Sequence, residues 1–283
     1  MHRTLVDCET LAKFLGSPDW RVVDCRFDLG KPAWGDAQYW QGHVPGALYA
    51  HLDRDLSSPI SPTSGRHPLP APADLAARLS AWGMDAKTQV VAYDQGNAMY
   101  AARLWWLLRW LGHERVAVLD GGFAAWQKNP ARPLSRDVVT WAPRVFVPRL
   151  HSDWVVSTSE LVPLVESGLT EVALCDARGA DRFAGQNETI DPVAGHVPGA
   201  SSMPFAGNLG ADGRFLSPAQ LRARWSEKLT DSGNAIMMCG SGVSACHNLL
   251  ALEHAGLRGA KLYAGSWSEW IRDPKRPVAL GIA

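Results

Sequence analysis

The chain has 283 residues, enough to bury a sizeable core and, at ~150 residues per domain, to form about two domains. Lys plus Arg and Asp plus Glu stand at 28 each, so no charge excess points to nucleic acid or another polyanion. The opening "MHRTLVDCET" lacks the apolar core of a secretion signal, and "LWWLLRWLG", interrupted by Arg109, is too short to span a bilayer; the expectation is a soluble, cytoplasmic protein.

In chain order, the first clear element is "VVDCR" (Val22–Arg26), a short apolar strand ending in an acid and an arginine. "GHVPGA" at Gly42–Ala47 reads as a turn leading into a strand. From Val90, "VVAYDQGNAMYAARLWWLL" reads as strand, turn and helix, the helix beginning at Met99. "VAVLDGGFAAW" (Val116–Trp126) adds a strand and a small helix, and "RPL" at Arg132 follows. Prolines and a lack of helical periodicity over 129–158 predict an extended linker.

The pattern then begins again: "ALCDAR" (Ala173–Arg178), "GHVPGA" (Gly195–Ala200), "AIMMCGSGVSACHNLLALE" from Ala235, "KLYAGSWSEW" (Lys261–Trp270) and "RPV" at Arg276. A repeat this long means tandem domains, not a solenoid. Strands alternating with helices predict an α/β fold, with a mainly parallel sheet flanked by helices in each domain. The expected divisions are 1–135, an extended linker over 136–157, and 158–283.

The two copies part company at one turn. Aligned through the repeat, Cys239 falls opposite Asp94, and a cysteine needed only for packing would more often face a small apolar residue. Gly240 and Gly242 let successive backbone N–H groups converge as an anion-binding nest, and the following helix offers its positive end. A thiolate or a persulfide anion at Cys239 would be stabilised there, and such a thiolate is a nucleophile without a neighbouring base.

Two other readings stay open, a G-x-G-x-x-A dinucleotide loop over Gly240–Ala245 and a buried structural cysteine. Against the dinucleotide loop, "KLYAG" carries no acid for a ribose. Ala245, standing where an arginine would grip phosphate, argues strongly against a cysteine phosphatase. Five cysteines (Cys8, Cys25, Cys175, Cys239, Cys246) at no metal-like spacing fit reduced thiols, and no metal is expected.

The two "GHVPGA" motifs, "YDQGNAMYAARLWWLLRWLGH", "LDGGFAAW", "CGSGVSA" and "YAGSWSEW" together resemble the tandem-domain rhodanese superfamily, across essentially the whole chain. The resemblance implies a catalytically silent N-terminal domain and a C-terminal domain whose Cys239 carries sulfur as a persulfide. The donor would be a small molecule, and the acceptor cyanide, a thiol or a thioredoxin-like reductant; no metal or organic cofactor is implied. "CGSGVS" is similar to the C-G-S-G-V-T of the mercaptopyruvate class, where thiosulfate enzymes carry basic residues, as in C-R-K-G-V-T. Thiosulfate is the alternative donor, and a non-catalytic binding module the alternative of another class.

The resemblance makes Cys239 and Ser241 the catalytic pair, Gly240, Gly242, Val243 and Ser244 the loop donors, and Arg182 the grip on a donor carboxylate. The second carboxylate arginine of the class falls at Asp191. His43 resembles the histidine that relays protons with the loop serine, with Asp36 as its nearest acid. Yet His196 repeats His43, so both fit a role in fixing a turn. Tyr100 and Met99 match positions that lip the site from the silent domain. Arg178 repeats Arg26 and is expected to tie up local carboxylates and carbonyls, while Cys246 and Trp267 are expected to pack.

Overall fold

A computed structural model describes residues 1–282 and divides into two compact units. The first comprises 1–58, 69–151 and 211–215; the second takes 59–68, 152–210 and the chain from 216 onward. Each unit thus includes a short segment from the other half of the sequence, which a cut between 136 and 157 does not foresee. The expected linker is extended as far as residue 150 but not free. Its Arg144 and Arg149 N–H groups donate to Ser80 O at 3.0 Å and Leu111 O at 2.8 Å, and Phe146 is buried. Buried backbone donors require partners, and proline only prevents them from finding these in a helix.

The first unit runs β1 (Leu5–Val6), α1 (Cys8–Lys13), β2 (Trp20–Asp24), α2 (Trp34–Gln41), β3 (Ala47–Tyr49), α3 (Leu52–Asp55), α4 (Pro72–Ala81), β4 (Gln89–Tyr93), α5 (Met99–Trp110), β5 (Val116–Leu119) and α6 (Gly122–Gln127). The second runs β6 (Val155–Val156), α7 (Thr158–Glu166), β7 (Ala173–Asp176), α8 (Ala180–Phe183), β8 (Ser201–Ser202), α9 (Pro218–Ser226), β9 (Ala235–Met238), α10 (Ser244–His254), β10 (Lys261–Tyr263) and α11 (Ser266–Trp270).

Both sheets are five-stranded and parallel throughout, in the orders β1-β5-β4-β2-β3 and β6-β10-β9-β7-β8. The repeat read in the sequence is therefore a repeat of topology. β4 and β9 are buried along their whole length, as expected of central strands covered by helices on both faces. Their cores gather Leu11, Val22, Val91, Tyr93 and Trp126 in one unit, and Leu161, Phe183, Ile236, Tyr263 and Trp270 in the other.

In the second sheet the chain leaves β7 toward β8 on one side and β9 toward β10 on the other. The crevice of an open α/β sheet lies beyond the strand ends at such a reversal, here between β7 and β9. Arg178 and Arg182 follow β7, and Cys239 follows β9. No helix among the described residues is long and apolar enough to cross a membrane.

Candidate active site

Cys239 is the first residue after β9, 98 % buried in a loop whose residues 240–243 are also buried. The backbone N–H groups of Ser241 and Gly242 converge on its Sγ at 3.4 and 3.1 Å. Gly240, Val243 and Ser244 form the rest of the loop and the start of α10, but their N–H groups are not bonded to that sulfur. Gly242 holds φ +77°, and a Cβ there would stand 2.5 Å from Ala264 O, so both backbone angle and space demand glycine.

The turn is tied from behind. Cys239 O and Gly240 O accept from Trp267 and Ser268 N–H, both at 2.9 Å, and Cys239 N–H donates to Ser266 Oγ at 3.1 Å. Ser266 sits at φ +54°, a conformation that costs a non-glycine residue of order 1 kcal/mol or more.

Ser241 Oγ lies 2.7 Å from Nδ1 of His67, a buried histidine. Sequence reasoning passed over this partner. His67 lies in 59–68, whose counterpart in the second half is 211–215: "GRH" at Gly65–His67 answers "GRF" at Gly213–Phe215, a match too short to stand out among the longer shared motifs. The segment is pinned to the unit by Arg66 N–H on Ser268 Oγ (3.0 Å), Gly65 N–H on Glu269 (3.3 Å) and Arg272 Nε on Ser64 O (3.1 Å). A Cβ on Gly65 would stand 2.6 Å from Gly265 O, so this approach also requires glycine.

His43, in contrast, is fully buried in the first unit. Its Nδ1 faces Tyr39 O at 2.8 Å, its Nε2 faces Asp137 O at 3.1 Å, and its ring stacks on Tyr39. His196 repeats this arrangement, with Nδ1 on Phe183 O at 2.9 Å and its ring stacked on Phe183. Each histidine backbone bridges to the segment closing its unit, at Ser135 and Ala279. The shared histidine therefore builds a turn in both copies, and the histidine beside Ser241 is His67 instead. Asp36 is engaged elsewhere, by Arg54 at 2.9 Å and within 3.9 Å of His51.

Tyr100 is buried against Phe27 in the first unit, and burial pushes its hydroxyl ionisation well up. Met99, half-buried, opens α5 beside it. Cys246 donates to Gly242 O at 3.2 Å, and Trp267 is buried with its Nε1 on Val193 O.

Arg178 and Arg26 do the same work in their units. Each forks onto the acid two residues before it, at 2.7 and 2.6 Å, and donates to a "GHVPGA" glycine carbonyl. Arg182 is held by Glu188 (2.9 Å) and Asp191 (3.1 Å), and Arg66 also donates to Asp191. Three guanidiniums (Arg66, Arg178, Arg182) thus face three carboxylates (Asp176, Glu188, Asp191), a balanced set beside the cysteine loop. Burial lowers Arg66's ionisation from the ordinary arginine range, while the Cys239 charge opposes that shift.

Comparison with known proteins matches this architecture. The model of the rhodanese-like domain matches twice, over residues 7–129 and 157–273. A probable 3-mercaptopyruvate sulfurtransferase of Pseudomonas aeruginosa is 48% identical over 281 residues, 98% of either chain. The putative thiosulfate sulfurtransferase SseB of Mycobacterium tuberculosis is 40% identical over 93% of this chain and 91% of its own. Among solved structures, the 3-mercaptopyruvate sulfurtransferase of Leishmania major superposes with a TM-score of 0.82 at 30% identity, covering 95% of this chain and 74% of that one. SseA of Escherichia coli, one of the 3-mercaptopyruvate sulfotransferases, gives 0.81 at 30% identity over 94% and 100%. With both halves matched, and with relatives aligned nearly end to end, the chain belongs to the rhodanese superfamily and is a tandem-domain sulfurtransferase.

Proposed function

We propose that the protein takes sulfur from 3-mercaptopyruvate onto Cys239 and passes it to a thiol or cyanide. The observation that carries the donor choice is the Ser241–His67 hydrogen bond beside Cys239. Attack of the Cys239 thiolate on the donor sulfur forms an S–S bond and breaks the donor's C–S bond. The electron pair leaves on carbon as the enolate of pyruvate, which must take a proton. A hydroxyl backed by an imidazole is suited to deliver it. Thiosulfate would release sulfite, which is stable as an anion and needs no such pair.

The charge balance supports the same choice. Gly240 and Ser241 add no charge to the loop, and the guanidiniums around it are matched by carboxylates, so a dianion finds no excess cation to repay its desolvation. After transfer the outer sulfur would extend toward the Val243 and Ser244 amides at the start of α10, which Sγ itself does not use. Five free cysteines suit a reducing, cytoplasmic setting in which a thioredoxin-like thiol is the acceptor.

The test is intact mass after brief incubation with each donor, followed by cyanide. One cyanide-labile sulfur from 3-mercaptopyruvate is expected on the wild type and not on Cys239→Ser. Ser241→Ala and His67→Gln should slow loading from 3-mercaptopyruvate ~10²–10⁴-fold while changing any loading from thiosulfate less than about 3-fold. Faster loading from thiosulfate than from 3-mercaptopyruvate would overturn the donor, and no loading from either would favour a binding module.

A further inference from the structure

We propose that Ser268 and Glu269 are positioning residues for sulfur loading, holding the backbone of Gly65 and Arg66 so that the next residue, His67, meets Ser241. The inference rests on the reading that Ser241 and His67 deliver the proton when Cys239 takes sulfur from 3-mercaptopyruvate.

"LDGGFAAW" and "YAGSWSEW" align residue for residue, so Leu119, Ala124 and Ala125 answer Tyr263, Ser268 and Glu269. The sheets support that alignment, since Val6 of β1 pairs with Leu119 as Val156 of β6 pairs with Tyr263. Two residues after Val6 and Val156 stand Cys8 and Thr158, which open α1 and α7. In the first unit Cys8, Leu119 and Ala125 are buried together in one apolar core. In the second the same three places carry Thr158, Tyr263 and Glu269, joined by hydrogen bonds.

The chemistry of these groups sets the direction of the chain. A carboxylate only accepts, so the Thr158 hydroxyl donates to Glu269 Oε1 and accepts from the Tyr263 hydroxyl at 2.8 Å. Burial raises the Tyr263 ionisation well above its ordinary value, which keeps that hydroxyl a donor. Glu269 Oε2 serves segment 59–68, where it accepts from Gly65 N–H at 3.3 Å. Ser268 Oγ accepts from Arg66 N–H at 3.0 Å, and His67 Nδ1 then stands 2.7 Å from Ser241 Oγ. The Glu269 carboxyl packs against the backbone at Gly265, where a Cβ would stand 2.4 Å from its carbon.

Polar groups in core positions destabilise a fold unless each is bonded. Here the far end of the bonded chain is the backbone that brings His67 to the cysteine loop. The first unit has no such chain. Its answering segment is held at Phe215 N–H by Asp120 at 2.9 Å, and Ala264 stands in the place of Asp120 in the second unit. The polar replacements thus occur where the segment carries a histidine and are absent where it carries a phenylalanine.

The test measures single-turnover loading from 3-mercaptopyruvate by intact mass, with thermal melts and amide hydrogen exchange over 61–68. Ser268→Ala, Glu269→Ala and Glu269→Gln are each made in the wild type and in His67→Gln. A catalytic group misplaced by about 1 Å costs ~10²-fold, so Glu269→Ala should slow loading ~10–100-fold and Ser268→Ala ~3–10-fold. Glu269→Gln keeps one carbonyl acceptor and should recover part of the loss. In the His67→Gln background each substitution should slow loading by less than about 2-fold further, because the group it positions is gone. The amides of 65 and 66 should exchange ~10-fold faster in Glu269→Ala.

Wild-type loading in both Ser268→Ala and Glu269→Ala would overturn the proposal. So would losses of equal size with and without His67, which would make the two residues a structural tie. If Glu269→Ala does not fold, Glu269→Gln and Ser268→Ala decide by the same comparison. If His67→Gln itself loads like the wild type, the proton-delivery reading fails by itself. Exchange at 65 and 66 then decides whether Ser268 and Glu269 hold the segment, and unchanged exchange would overturn that as well.

Discussion

Asp94 and Cys239 occupy matching places, each the first residue after a buried central strand and five residues ahead of a long helix, α5 or α10. Their carbonyls are held alike, by Phe123 N–H at 2.8 Å and Trp267 N–H at 2.9 Å. The loops then diverge. In the first unit one Asp94 oxygen accepts from Gly96 and Ala98 and the other from Tyr100 and Ala101, at 2.9–3.3 Å. In the second, Cys239 Sγ accepts from two N–H groups only.

A nest of backbone donors holds an anion whichever side chain supplies it. A carboxylate has two oxygens and fills the nest permanently, whereas a single sulfur leaves donors for a second atom. On the proposed role of Cys239, the first unit would be silent because its anion is built in. The left-handed residue moves as well, from Ala98 (φ +61°) in one loop to Gly242 (φ +77°) in the other. Behind the loop, Gly122 at φ +57° corresponds to Ser266 at φ +54°. The second unit accepts strain at Ser266 in exchange for a hydroxyl on the Cys239 amide.

Substitutions can break this comparison, the strongest first. Cys239→Ser should lower sulfur loading more than ~10³-fold, at least ~4 kcal/mol of transition-state stabilisation, with an unchanged melt. Asp94→Cys, tested by the same mass measurement, should gain no loading, because the first unit carries Phe215 where the second carries His67.

Asp94→Ala leaves four N–H groups, three of them buried, without an acceptor and should cost about 3 kcal/mol in chemical denaturation, Asp94→Asn less. Burial is the largest influence on this carboxyl and raises it above its ordinary range despite the N–H donors. A raised acid contributes stability at low pH that is lost as pH rises through the raised value. Asp94→Asn should remove that part of the pH dependence, visible in melts across the acid range.

Gly242→Ala meets Ala264 O and a strained φ; a loss of about 2 kcal/mol in stability, together with slower loading, is expected. Ser266→Gly should be smallest, within about 1 kcal/mol in the melt because strain relief offsets the lost hydrogen bond. Its loading rate should still fall several-fold as the Cys239 amide loses its anchor. Unchanged loading would mean that the strain serves packing alone.

Much of this was legible in the chain itself. The duplicated "GHVPGA", the alternation of strand and helix, and the contrast of Asp94 with Cys239 are local patterns, and local patterns fix strands, turns and the loop that follows β9. The start of α5 at Met99 and of α10 at Ser244 fell where spacing put them. His43 shows the limit of such reading. Its motif resembles a functional one, but the same motif at His196 makes the same stacking and the same bridge, so repetition was the better guide to its role.

Tertiary structure alone decided which distant residues join the cysteine loop. His67 is separated from Ser241, and Arg66 from Asp191, by more than a hundred residues, and no periodicity links them. Their meeting depends on segment 59–68 folding with the second unit, where close approach at Gly65 and hydrogen bonds to Ser268 and Glu269 hold it. The sequence by itself determined the two sheets and the nest, because these arise from neighbouring residues. The charge and the proton partner around the nest were left to packing, because nothing local requires a given histidine or arginine to arrive there.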